Sequence, residues 1–63
     1  MVQWFFQAGN YWRPFDAYNN GCVERWWYMG GQGIVQIDGH HGVVNTSNLT
    51  MMLNGDLLVI YRR

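Results

Sequence analysis

The side chains able to do chemistry are few and scattered. The acids are Asp16, Glu24, Asp38 and Asp56, the bases are four Arg, and the remaining candidates are His40, His41, Cys22, Ser47, Thr46 and Thr50. A hydrolase needs a nucleophile beside a base, or two carboxylates held apart. These residues fall on turns and one helix with no recognisable motif, so no enzyme is expected and no catalytic residue is assigned. His40 and His41 are adjacent, and neighbours on a strand point to opposite faces. Without a Cys or carboxylate at ligand spacing, no metal site is expected. Gly30-Gly31-Gln32-Gly33 follows a helix and lacks a Lys-Ser/Thr pair, so it reads as a helix cap and flexible turn and not as a phosphate loop. No cofactor is implied.

Positive charge is carried by Arg alone, which suits planar, bidentate recognition of phosphate or carboxylate. Four acids balance four bases, which leaves no field to gather nucleic acid non-specifically. Nucleic acid is therefore an unfavoured partner. Cys22 is the only cysteine, so no internal disulfide forms, and in the helix it reads as a small buried hydrophobe. The longest apolar run, Leu57 to Tyr61, is far too short to span a bilayer, and no membrane association is expected. No basic-then-apolar leader is visible, which suggests an intracellular location, cytoplasmic or nuclear.

Sixty-three residues make one domain, 1–63, with a single core. A core this small contributes only about 3–5 kcal/mol. The chain meets that limit with large rings: it is 17% aromatic against 13% charged, which marks a globular chain and not a disordered one.

The elements that must position these residues start with two aromatic strands. Gln3 to Gln7 forms the first, Ala8-Gly9-Asn10 breaks it, and Tyr11 to Phe15 returns. Trp4 and Phe6 share one face while Phe5 takes the other. Trp12 is expected to share a core with Trp4, and Pro14 marks an edge or an end. Asp16 to Gly21 reads as a polar loop, from which Asn19-Asn20-Gly21 launches a helix over 22–29. Its apolar residues Cys22, Val23, Trp26, Trp27 and Met29 have amphipathic spacing, and Glu24 falls in its first turn. Gly30-Gly31 ends it. Four further short strands follow: Ile34 to Ile37, Val43-Val44, Leu49 to Leu53 and Leu57 to Tyr61. Asp38-Gly39, the Asn45–Asn48 tetrad and Asn54-Gly55 turn between them. The last run lacks alternation, so both its faces are expected to be covered. The fold class is α+β: a strongly bent, mostly antiparallel sheet of about six short strands, a half-barrel wrapped on one α-helix.

The spacing Trp4, Trp12, Glu24, with Arg13-Pro14-Phe15-Asp16 after the second Trp, resembles the WWE domain family, which takes its name from those three residues. The likeness runs through the first half without a gap. In the second half, Gly42-Val43-Val44-Asn45 falls on the family's aromatic strand and turn, Leu49 on its methionine, Asn54-Gly55 on its glycine turn and Arg62-Arg63 on its closing arginine pair. The resemblance implies a structural role for Trp4, Trp12 and Glu24. It also implies a non-catalytic module for ADP-ribose or iso-ADP-ribose, linked to poly(ADP-ribose) recognition in ubiquitin ligases and ADP-ribosyltransferases. The ligand positions it implies are Phe6 for a pocket tyrosine, Gly42 for a second with His41 beside it, and Met51 for a glutamine. Leu58 or Val59 stands for the phosphate-holding arginine, with Arg13 and Arg62 as the remaining charged donors. The alternative is a protein-interaction or structural scaffold domain in which Phe6, Met51 and Leu58 fill the old pocket. Name-giving residues survive while ligand residues do not.

Overall fold

The computed structural model describes all of residues 1–63. Strands β1 (Trp4–Ala8) and β2 (Tyr11–Pro14) lead into helix α1 (Ala17–Met29). Strands β3 (Gln32–Ile37), β4 (His40–Asn45), β5 (Thr50–Leu53) and β6 (Asp56–Arg62) follow. The six strands form one curled antiparallel sheet in the order β2-β1-β6-β5-β4-β3, with α1 in its hollow. The α+β half-barrel expected from the sequence is the fold observed.

Three two-residue turns set the register. Asp38-Gly39 and Asn54-Gly55 have positive φ at both residues, as a type I′ hairpin turn demands. Gly9-Asn10 has positive φ at Gly9 alone. Between β4 and β5 the Asn45 Oδ1 accepts from the N–H of Ser47 and of Asn48, so the side chain itself builds the turn.

The helix is longer than expected because the polar stretch before it is its first turns. Asp16 is the N-cap, accepting from the Asn19 N–H at 2.9 Å. Asn19 and Asn20 then reach outward to other backbone. Asn20 Oδ1 accepts the Trp4 N–H, its Nδ2 donates to the Val2 carbonyl, and Asn19 Nδ2 donates to the Gln36 carbonyl. Glu24 consequently lies in the middle of α1, and no acid occupies its first turn. At the other end Gly30, at φ 67°, caps the helix as expected. The Gly30 and Gly31 N–H groups return to the Trp27 and Trp26 carbonyls, a Schellman pair.

The core is a cluster of Trp4, Phe6, Phe15, Val23, Val35, Ile37, Val44, Met51 and Ile60. Removing this apolar surface from water is the main favourable contribution to folding. Gly33 belongs to this packing and not to a flexible turn: a Cβ there would overlap the Trp26 indole. The outer face of the sheet is open. Ile34, Val43, Met52, Leu57 and Val59 are all exposed there, so the last strand is not covered on both faces. No helix is long and apolar enough to cross a membrane.

Candidate functional site

The two indoles that suggested a shared core are on opposite faces. Phe6 is paired with Arg13 and Gln7 with Trp12, so Trp12 joins Phe5 on the outer face while Trp4 and Phe6 point inward. Trp4 is fully buried and Trp12 is 44% exposed. The expectation that Trp12 is buried is corrected by this register. Instead Trp12 sets its edge against Tyr61 at 4.7 Å between centroids, and Tyr61 stacks on Phe5 at 5.2 Å. These rings form a cross-strand aromatic cluster over β2, β1 and β6.

Trp4, Glu24 and Arg62 form one hydrogen-bonded unit. The buried Trp4 Nε1–H donates to Glu24 Oε1 at 2.7 Å. Arg62 grips the same carboxylate with Nε on Oε1 at 2.9 Å and Nη2 on Oε2 at 2.7 Å. This bidentate pair ties the middle of α1 to the end of β6. The hydrogen bonds from Arg62 hold the Glu24 carboxyl below its ordinary value of 4.5, helped by Trp4 and opposed by desolvation. Arg62 also lies 5.9 Å over the Tyr28 ring. The role expected for Glu24 at a helix start is thereby replaced by a cross-element anchor. The Arg62 guanidinium is committed to that anchor and not to an open pocket.

The positions that the family resemblance assigned to a ligand lie mostly in the core. Phe6 and Met51 are buried, and Leu58 is half-buried against the same cluster. A Cβ on Gly42 would come within 2.9 Å of Met51 Sδ, so the methionine occupies the room a ring at position 42 would need. Arg13 sits at the mouth of the half-barrel, 5.1 Å over the Phe6 ring. Its Nη1 and Nη2 reach Asp38 Oδ2 and Oδ1 at 2.8 and 3.4 Å. That pair raises the Arg13 pKa and lowers that of Asp38, in each case chiefly through the hydrogen bond.

Two surface clefts, each of about 360 Å³, lie away from those positions. The first runs between the start of α1 and β3, along Asp16, Tyr18, Asn19, Ile34, Gln36 and His41. His41 is the one expected ligand residue that lines it. The second is a polar hollow at Gly30, Gly31, Gln32, Asn45 and Ser47. Cys22 is half-buried and unpaired, and His40 and His41 are exposed. No three His, Cys, Asp or Glu side chains converge as a metal cluster would.

Sequence reasoning missed Gln3, Asn19, Asn20 and Thr46. Gln3 Nε2 donates to the Trp4 and Phe15 carbonyls, and buried Thr46 donates to the Gly31 carbonyl at 2.5 Å. Asn19, Asn20 and Thr46 gave a weak signal because short polar side chains read equally well as turn or loop, and the Gln3 acceptor at Phe15 is twelve residues away. Comparison with family models and with curated proteins returns no match for the chain.

Proposed function

We propose that this chain is a non-catalytic, WWE-like interaction module whose half-barrel interior is structural core and whose working surfaces face a protein partner. One observation carries the reading: the inner positions that would have to form a nucleotide pocket are occupied by the packed side chains of Phe6, Met51 and Leu58. A nucleotide entering there would have to displace core, and burying its diphosphate against apolar groups without charged donors is costly. The resemblance ties such modules to ubiquitylation and ADP-ribosylation pathways.

A second reading, binding of ADP-ribose or iso-ADP-ribose, is favoured by Arg13. Its fork stands at the mouth over an aromatic ring and could exchange Asp38 for a phosphate. Each charged hydrogen bond missing elsewhere removes roughly 1.5–3 kcal/mol, so two missing donors take a micromolar binder to about millimolar. Titration of iso-ADP-ribose and ADP-ribose, followed by amide chemical shifts and calorimetry, separates the readings. The proposal expects no saturable shift below about millimolar ligand. Low-micromolar binding abolished by Arg13→Ala would overturn it in favour of the nucleotide.

A further inference from the structure

The sheet has two edges, and they are built differently. β2 is short and carries Pro14, which has no N–H to offer an incoming strand. β3, Gln32-Gly33-Ile34-Val35-Gln36-Ile37, has neither Pro nor charge along its length. Natural edge strands are guarded by such residues, by bulges or by a covering helix or loop, and here the hydrogen bond from α1 to this edge is the one from Asn19 to Gln36.

The register shows which groups β3 presents. The two-residue turn closes on Ile37 and His40, so Ile37, Val35 and Gly33 exchange ladder bonds with β4. Gln32, Ile34 and Gln36 turn their N–H and C=O groups the other way. One of these has a partner: the Gln36 carbonyl accepts from Asn19 Nδ2 at 3.0 Å. Both groups of Ile34 and the N–H of Gln36 face the cleft beside α1. They recur every second residue, roughly 7 Å apart, which is the repeat of a strand backbone.

We propose that the α1–β3 cleft receives an extended peptide segment of a partner protein, which adds as a seventh strand along Gln32–Gln36. The proposal rests on the interaction-module reading above and names its ligand class. An extended backbone is the ligand that can meet donors and acceptors at this repeat, with side-chain contacts giving selectivity. The walls set those contacts. Ile34 and Tyr18 are 64% and 80% exposed and offer apolar surface on either side of the added strand. Asp16 is the only carboxylate in the cleft, no Lys or Arg lines it, and His41 is its one basic side chain. The occupant is therefore an alternating apolar segment with a Lys or Arg placed to meet Asp16. Asn19, holding the Gln36 carbonyl, marks where the added strand stops.

Selection of a random-peptide display library on the intact chain tests this, followed by titration of an enriched synthetic peptide. Enriched peptides should share a basic residue within an alternating apolar run and shift the Ile34 and Gln36 amides. N-methylation of the one peptide residue whose N–H meets the Ile34 carbonyl should weaken binding at least about tenfold, the loss expected for backbone pairing. The same change at the adjacent residue, whose N–H points away from β3, should not. Tyr18→Ala, on an exposed side chain, should weaken binding with an unchanged melt. Asp16→Asn, which keeps a capping side chain, should remove the preference for a basic residue. Enrichment of peptides that instead shift Val43, Met52 and Leu57 on the outer face would overturn the edge site and leave the interaction-module reading standing. Enrichment of none overturns the site, whereas saturable binding of iso-ADP-ribose overturns the reading beneath it.

Discussion

Trp4 and Trp12 look interchangeable as letters, and the fold treats them oppositely. Trp4 is buried with its N–H donated to Glu24, so Trp4→Ala removes a large core ring and should cost about 3–5 kcal/mol. That is comparable with the whole stability of so small a domain, and circular dichroism should show the variant unfolded near room temperature. Trp12 keeps much of its surface in water, so Trp12→Ala should cost only about 1–2 kcal/mol and leave a cooperative melt. Loss of that melt would mean that the outer aromatic cluster supports the fold. Glu24→Ala strands the buried Trp4 N–H, a loss of about 1–3 kcal/mol, while Glu24→Gln retains an acceptor and should lose less. The carboxyl of Glu24 titrates lower in the folded state than in the unfolded chain, so the unfolded state binds protons first as the pH falls. Its stabilisation is therefore fully present above about pH 4.5 and is lost as the pH drops through the folded value. Thermal melts should be flat between about pH 7 and 5 and decline below that. Asp38 is shifted in the same direction, so Glu24→Gln should reduce the acid decline without abolishing it.

At the scale of elements, the helix start and one strand glycine make the sharpest claims. Asp16→Ala removes both acceptors of Asn19 and should cost about 1 kcal/mol or more, whereas Asp16→Asn keeps the backbone cap, gives up the bond from Asn19 Nδ2 and should cost less. Equal losses in denaturant titrations would show that the Asp16 charge, and not its cap geometry, matters. Gly33 is bare because the Trp26 indole lies over its Cα. Gly33→Ala must push that ring aside and should cost about 1–3 kcal/mol, although alanine normally suits a strand better than glycine. A neutral result would mean that the indole has a second position available. The two β-turn pairs, Asp38-Gly39 and Asn54-Gly55, were readable because an Asn-Gly or Asp-Gly pair accepts two left-handed residues with little penalty. The helix start was not readable. Asp-x-x-Asn serves a cap and a loop equally, and the tertiary hydrogen-bond partners of Asn19 and Asn20 lie sixteen or more residues away.

Across the whole molecule, the ion pair of Arg13 and Asp38 joins strand β2 at one edge of the sheet to the turn after β3 at the other. It closes the mouth of the half-barrel without a strand between the edges. Both side chains are exposed, so the pair is screened and its effect is local. Asp38→Asn should speed amide exchange in β2 and at the β3–β4 turn while leaving central β6 nearly unchanged. Uniform acceleration would show instead that the pair supports global stability. The outer face carries Leu57, Met52, Val43 and Ile34 in register across four strands, an apolar row left to solvent. Such a surface suits a molecule that works by contact.

The sequence by itself determined the class, the strand count, two of the turns and the helix C-cap, because turn chemistry and apolar runs act over a few residues. It also determined which residues are large enough to make a core in so short a chain. Facing directions were decided only in three dimensions. A three-residue break at Ala8-Gly9-Asn10 would set Trp12 opposite Phe6, while the two-residue turn at Gly9-Asn10 sets Arg13 there. Since side chains alternate along a strand, that single residue moves an indole from the core to the outer face and brings a guanidinium to the mouth. The pairing of Glu24 with Trp4 and Arg62, and the filling of position 42 by Met51, likewise needed the curled sheet. Contacts between different strands and the helix leave no local pattern, because the fold alone fixes which faces meet.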